Sequence, residues 1–312
     1  MTRYLAWRLP QTIPVLFGVS VVAFMLVRII PGDPAVALLG TRATPELIAR
    51  VHDQLGLNLP LWQQYLNFLG SAAHGDFGIS FFYQTNVTDV TLPRLPVTLL
   101  LIAYATSLSL VIAIPLASIA AARHGGAVDH VIRLAATTSL GIPSFWLAIV
   151  LLLILVVRFH LFPIGGAGTG GLDTIWHLTL PALTIALSIA PILVRSLRSS
   201  LISVLSADFV TTGRAAGLRP WTLRSSYVLR NSLMPLITVL SLNVGWLIGG
   251  TVVIEQVFAI PGLGSLLIGS IATRDYAIIQ LVTLILALVV IVVNLVTDVA
   301  YAVLDPRVSL GR

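Results

Sequence analysis

Six long stretches of this chain carry no charged side chain: Leu9–Val27, Leu95–Ala122, Leu134–Val157, Leu178–Val194, Leu233–Ile254 and Tyr276–Thr297. A helix rising 1.5 Å per residue needs about 20 residues to cross a hydrocarbon core of about 30 Å. Each stretch meets or approaches that length, the fourth being the shortest at 17 residues. Only 10% of the 312 residues are charged and 57% are apolar, whereas a soluble domain is about a quarter charged. The expectation is an all-α integral membrane protein with six transmembrane helices. It divides into a first span (1–30), an outer loop with short helices (31–94) and a five-helix core (95–312) whose longest inner loop runs over 200–232.

Six spans put both termini on one side, and arginine decides which. Arg3, Arg8, Arg123, Arg133, Arg195, Arg198, Arg214, Arg219, Arg224, Arg230, Arg307 and Arg312 fall on the side of the termini, against Asp129, Asp208 and Asp305. The opposite side has six arginines against eight acids. The positive-inside rule therefore places both termini in the cytoplasm. The first apolar run is too long for a signal peptide and lacks an A-x-A end, so it reads as a retained span. Outside, Thr44 followed by Pro45 marks a helix start. Helical spacing at Leu47, Val51 and Leu55, then at Trp62, Tyr65, Leu66 and Leu69, predicts two short amphipathic helices.

Several chemistries are excluded. The chain has no Cys, so thiolate nucleophiles and cysteine–metal sites are absent. All 18 basic residues are Arg, so there is no Lys for a phosphate-binding Walker A loop. The net charge of +6 lies where the membrane rule puts it and implies no nucleic acid. No span has an ionisable group in its interior, which argues against proton or sodium coupling. His52, His74, His124, His130, His160 and His177 are scattered in loops and at span ends, with no metal-binding pattern. The Gly-x-Ser matches at Gly18–Ser20 and Gly78–Ser80 have no later span that supplies a His base.

The spans do carry neutral polar residues. Ser107, Thr138, Ser139, Ser144, Ser188, Ser241 and Asn243 are candidates to line a wet passage for a polar solute. Their other role would be to bond helix backbone or to let helices approach closely.

One loop stands apart, "TTGRAAGLRPW" (211–221), where small residues sit inside the most arginine-rich segment. Asp208 could cap a helix running to about Ala216, with Gly217 as its left-handed terminator and Pro220 blocking continuation. Ala215, Ala216 and Gly217 would offer backbone to a closely packed partner, and Arg214, Arg219 and Arg224 would offer charge. An interfacial helix on lipid headgroups fits the same pattern, and both readings stand at this level.

"DFVTTGRAAGLRPWTLRSSYVLRNSLMPLIT" (208–238) resembles the EAA loop of bacterial ABC importer permeases of the dipeptide/oligopeptide/nickel group. In order along the chain, "RIIPGDPA", "GDFGIS", "RLPVTLLL", "GIPSFWLAI", "EQVFAIPGLGSLL", "RDYAIIQ" and "LVTDVAYAVLDPRV" support it. The long first outer loop resembles the dipeptide-permease B type. The resemblance implies a multi-pass subunit of the bacterial plasma membrane that forms half of a pathway with a second permease subunit. Two ATPase subunits, which bind the ATP and Mg, and an extracytoplasmic substrate-binding protein complete it. This chain would hold no cofactor and catalyse nothing, with peptides as the implied substrate.

The family's coupling contact with the ATPase falls on Asp208, Thr211, Thr212, Gly213, Arg214, Ala215, Ala216, Gly217 and Leu218. The E-A-A triplet itself is Thr211-Thr212-Gly213 here, and only Gly217 and Leu229 keep their places. Loops on a rigid scaffold carry contacts, so the binding protein is expected on 31–94 and the 255–264 turn. Gln64, Glu255, Phe258, Ala259, Pro261 and Gly262 are the candidates there. A passive channel or secondary carrier is the alternative if the arginine-rich loop binds only lipid.

Overall fold

The computed structural model describes residues 2–29, 34–39, 43–54 and 56–304. Leu55, Asp305, Arg307 and Arg312 lie outside them, as do the side chains of Arg3, Arg8 and Arg224. Among the described residues the chain is helical, with one isolated antiparallel bridge between Ile79 and Asn86.

Helix α1 (Thr2–Ile29) holds the first expected span, and its apolar part, Pro10–Leu26, is short for a crossing. The outer segment forms α2 (Pro34–Leu39), α3 (Pro45–Gln54), α4 (Leu61–Ala73) and α5 (Val87–Thr91). The Leu47 N–H lies 3.4 Å from the Thr44 hydroxyl, at the start of α3. A single 3-10 turn then leads into α6 (Leu95–Ala122).

The expected span Leu134–Val157 is not one straight helix. It lies on α7 (Ala127–Ser139) and α8 (Ser144–Leu151), which continues as a π-helix to Arg158, and the two arms meet at 105°. Pro143 explains the break. It lacks an N–H, takes an extended backbone (φ −61°, ψ 136°) and starts a new helix at Ser144. The 17-residue fourth run is the middle of a much longer helix, α9 (Gly171–Leu205), of 35 residues. At about 52 Å it outreaches the bilayer core.

After α9 come α10 (Asp208–Ala215), the short turn α11 (Pro220–Thr222) and a π-helical segment, Leu223–Leu229. The fifth expected span is again two helices, α12 (Arg230–Leu242) and α13 (Val244–Val257), bent by 54° at Asn243. The Asn243 side-chain amide donates to the Val239 carbonyl at 2.7 Å, and that carbonyl also accepts the Asn243 N–H at 3.1 Å. Helices α14 (Leu263–Thr273) and α15 (Tyr276–Leu304) end the described chain. Among the described residues, three continuous helical stretches, Val87–Ala122, Gly171–Leu205 and Tyr276–Val299, are long and apolar enough to span, and five segments qualify if each bent pair counts once.

The chain forms two compact units. One comprises Thr2–Thr98 and Pro261–Ile291. Its core packs Val87 of α5 against Leu263 and Leu266 of α14 and Ile278, Leu281 and Val282 of α15. Tyr65 of α4 meets Phe17 and Phe24 of α1 edge to face and shares a 2.7 Å hydrogen bond with Ser20. Buried Asp275 accepts hydrogen bonds from the Ser80 hydroxyl and the Phe82 N–H. The other unit, Leu99–Ile260 and Val292 onward, is built on α9, whose Leu178, Ile185, Ile189, Leu193 and Leu197 are fully or almost fully buried. Helices α7, α8, α12 and α13 pack on it.

Candidate functional site

The small-residue loop is a helix held by one face. Val210 and Gly213, three residues apart, turn inward, as do Leu223 and Val228 of the following π-helical segment. A Cβ on Gly213 would stand 2.9 Å from Cδ1 of Leu223 and 3.3 Å from Cδ1 of Leu218. Gly213 therefore packs against its own chain. The exposed face presents Asp208, Thr211, Thr212, Arg214, Ala215, Ala216, Gly217 and Leu218.

The N-terminus of α10 differs from expectation. Ala207, in extended conformation, is the N-cap and Asp208 the first helical residue, with no side-chain cap bond. There the carboxylate still faces the positive end of the helix dipole. At the other end Gly217 is left-handed, with φ 78°. Its N–H bonds the Arg214 carbonyl at 3.0 Å, and the Leu218 N–H bonds that of Gly213 at 3.1 Å. These two bonds make a Schellman end, which leaves the Ala215–Gly217 backbone projecting. Phe209, in the first turn of α10, and Trp221, after the tip in sequence, are exposed, the latter 79%. Sequence reading passed over both. Their signal was an aromatic side chain inside an arginine-rich loop, where solvation alone does not favour one.

The polar span residues are dispersed, and most satisfy themselves locally. Ser107 donates to the Ala103 carbonyl at 2.8 Å, Thr138 to Leu134 at 2.9 Å, Ser139 to Ala136 at 3.1 Å and Ser188 to Thr184 at 3.0 Å. Such bonds to the preceding turn are the cheap solution for a hydroxyl in lipid. Ser139 and Ser144 lie on either side of the α7–α8 break, and Asn243 forms the α12–α13 bend. Ser241 reaches the Asn294 side chain at 3.4 Å.

The outer candidates separate by burial. Glu255, Phe258 and Gly262 are buried, whereas Ala259 and Pro261 are exposed. The Phe258 carbonyl takes the Gly166 N–H at 3.0 Å, and a Cβ at Gly165 would lie 2.2 Å from that same oxygen. The end of α13 is thus packed under the 165–166 turn. Gln64 is half-buried and committed to its own chain. It accepts from Arg28 and donates to the Leu57 and Leu59 carbonyls at 3.0 and 2.7 Å. These placements share one cause, since a loop position read from sequence does not say what covers it.

Two family descriptions match the sequence. Residues 1–102 match the N-terminal segment of binding-protein-dependent transport system membrane components, and residues 113–310 match the binding-protein-dependent transport system inner membrane component. The chain is 37% identical over 315 residues to the oligopeptide transport system permease protein AppB of Bacillus subtilis (strain 168), covering 99% of this chain and 100% of that protein. It is 33% identical over 335 residues to the dipeptide transport system permease protein DppB of Escherichia coli (strain K12), and 35% over 308 residues to the glutathione transport system permease protein GsiC of the same strain. Each of those alignments covers 99% of both chains.

Proposed function

Since the chain belongs to the family of binding-protein-dependent transport system inner membrane components, we propose that it forms half of the pathway of an ATP-driven peptide importer and receives the power stroke at α10. It performs no chemistry. Partner ATPase subunits bind ATP and Mg and move α10. The α12–α13 pair follows through the π-helical segment, and a second permease completes the passage. An extracytoplasmic binding protein delivers substrate to the outer face, where Ala259 and Pro261 are available. Oligopeptide, dipeptide and glutathione in the relatives' names have peptide bonds in common, which supports peptides as the substrate class.

The observation that carries this reading is the division of labour on α10. Its Val210 and Gly213 face is fixed to the chain, while its Ala215–Gly217 tip stands free with nothing larger than a methyl group. Such a tip admits another surface to backbone distance. Ala216→Glu keeps a good helix former but forces a carboxylate into that contact, costing a few kcal/mol if unpaired. The expected outcome is loss of ATPase co-purification and of peptide uptake at normal membrane levels. Wild-type assembly and uptake would mean that the loop only contacts lipid.

A further inference from the structure

A second feature lies between α7 and the arginine-bearing part of α9, on the side that the arginine distribution assigns to the cytoplasm. Between these helices is a cavity of about 210 Å³. Arg133 and Thr137 of α7 and Arg195 and Arg198 of α9 form its polar wall, with Leu140 and Val194 on the apolar one. Only two acids occur on these helices, Asp129 and, at the far end of α9, Asp173.

Arg198 takes Asp129 fully. Its Nε and Nη2 donate to the two carboxylate oxygens at 2.5 and 2.6 Å, and the Gly125 N–H adds a third bond at 3.0 Å. Arg133 and Arg195 are exposed and donate no hydrogen bond to a described group. Asp129 lies under the charge of both Arg198, which bonds it, and Arg133, so one acid stands against three arginines. The cavity therefore keeps a net positive charge and a hydroxyl beside an apolar wall.

A compact anion with several acceptor oxygens and a carbon chain attached matches that wall. Guanidinium forks suit phosphate oxygens, and the apolar side suits the carbons that follow a phosphodiester. The opposite face of α7 turns Val131 and Leu134 outward, 66% and 70% exposed, as a helix lying among acyl chains does. At that level of a membrane the abundant phosphate is a lipid's. We infer that the cavity between α7 and α9 binds the phosphate of an anionic phospholipid of the cytoplasmic leaflet.

The test is native mass spectrometry of the full chain with its co-purifying subunits, delipidated in neutral detergent and titrated with phosphatidylglycerol or phosphatidylcholine. Phosphatidylglycerol is expected to bind about tenfold more tightly. Arg133→Gln with Arg195→Gln should weaken it about 25-fold, fivefold per arginine, while Arg123→Gln, outside the cavity, should leave it unchanged. Thr137→Phe fills the space and keeps both charges, so it should cause a similar loss even if the double variant fails to fold. Equal affinity for the two lipids, or undiminished phosphatidylglycerol binding by either cavity variant, overturns the inference. So does complete displacement by millimolar inorganic phosphate, which would make this a free-anion site. Displacement by a dipeptide would assign the cavity to the substrate pathway and overturn it as well.

Discussion

Gly213 acts on α10 in two opposite ways. It weakens the helix by about 1 kcal/mol relative to Ala, yet its missing Cβ lets Leu223 and Leu218 close over it. The atoms in the way are far ends of flexible leucines. Gly213→Ala should therefore offset a small displacement against better helix propensity, leaving stability within about 1 kcal/mol and uptake intact. Gly213→Leu cannot be absorbed so, because its branches would lever the Leu223–Leu229 segment away from α10. Its expected phenotype is normal membrane abundance by quantitative blotting with little ATPase recovered on pull-down. Full recovery would show that α10 needs no support from behind. Sequence alone did not show what the glycine is for, because the leucines that close over it lie five and ten residues away.

At the scale of the element, the long helices are stitched by few polar contacts, so each carries weight. Asp129 joins α7 to α9 through Arg198 and is 0% exposed, with the Arg198 side chain 14% exposed. Asp129→Asn keeps the shape but leaves a largely enclosed guanidinium facing a neutral amide. Breaking one side of such a pair costs about 3 kcal/mol at the lower end of the buried range, and the residual exposure of Arg198 argues for that end. A thermal melt in detergent should show a clear fall in midpoint for Asp129→Asn. Reversing the pair, Asp129→Arg with Arg198→Asp, should recover part of it. An unchanged midpoint for the single variant would mean that aliphatic packing alone holds α7. Element boundaries were legible only where helix start and apolar run coincide, as in α6, which begins and ends where its charge-free run does. They were not legible at Pro143 or Asn243, because hydropathy measures how apolar a segment is and carries no direction.

At the scale of the whole molecule, the proposed function has energy entering from partner subunits. With no Lys in 312 residues, a phosphate loop of the Walker A kind cannot be built, and the spans hold no interior charge for an ion gradient to act on. The purified chain, freed of co-purifying subunits, is expected to show no ATP turnover and no binding of a fluorescent ATP analogue. Turnover that persists after such purification would overturn this. What the sequence by itself determined is of this additive kind: a helical membrane protein, a chain without Cys or Lys, and the permease family carried by motifs in order along the chain. Composition and local pattern suffice for these because each residue contributes whatever its distant neighbours are. The tertiary structure alone decided which face of α10 turns inward, that Glu255 and Phe258 are covered while Ala259 is not, and that Gln64 is held by Arg28. Only it decided that two arginines are left facing a cavity while a third takes Asp129. Those outcomes depend on which segments pack together, and burial is a property of the pair that meets, not of either residue read alone.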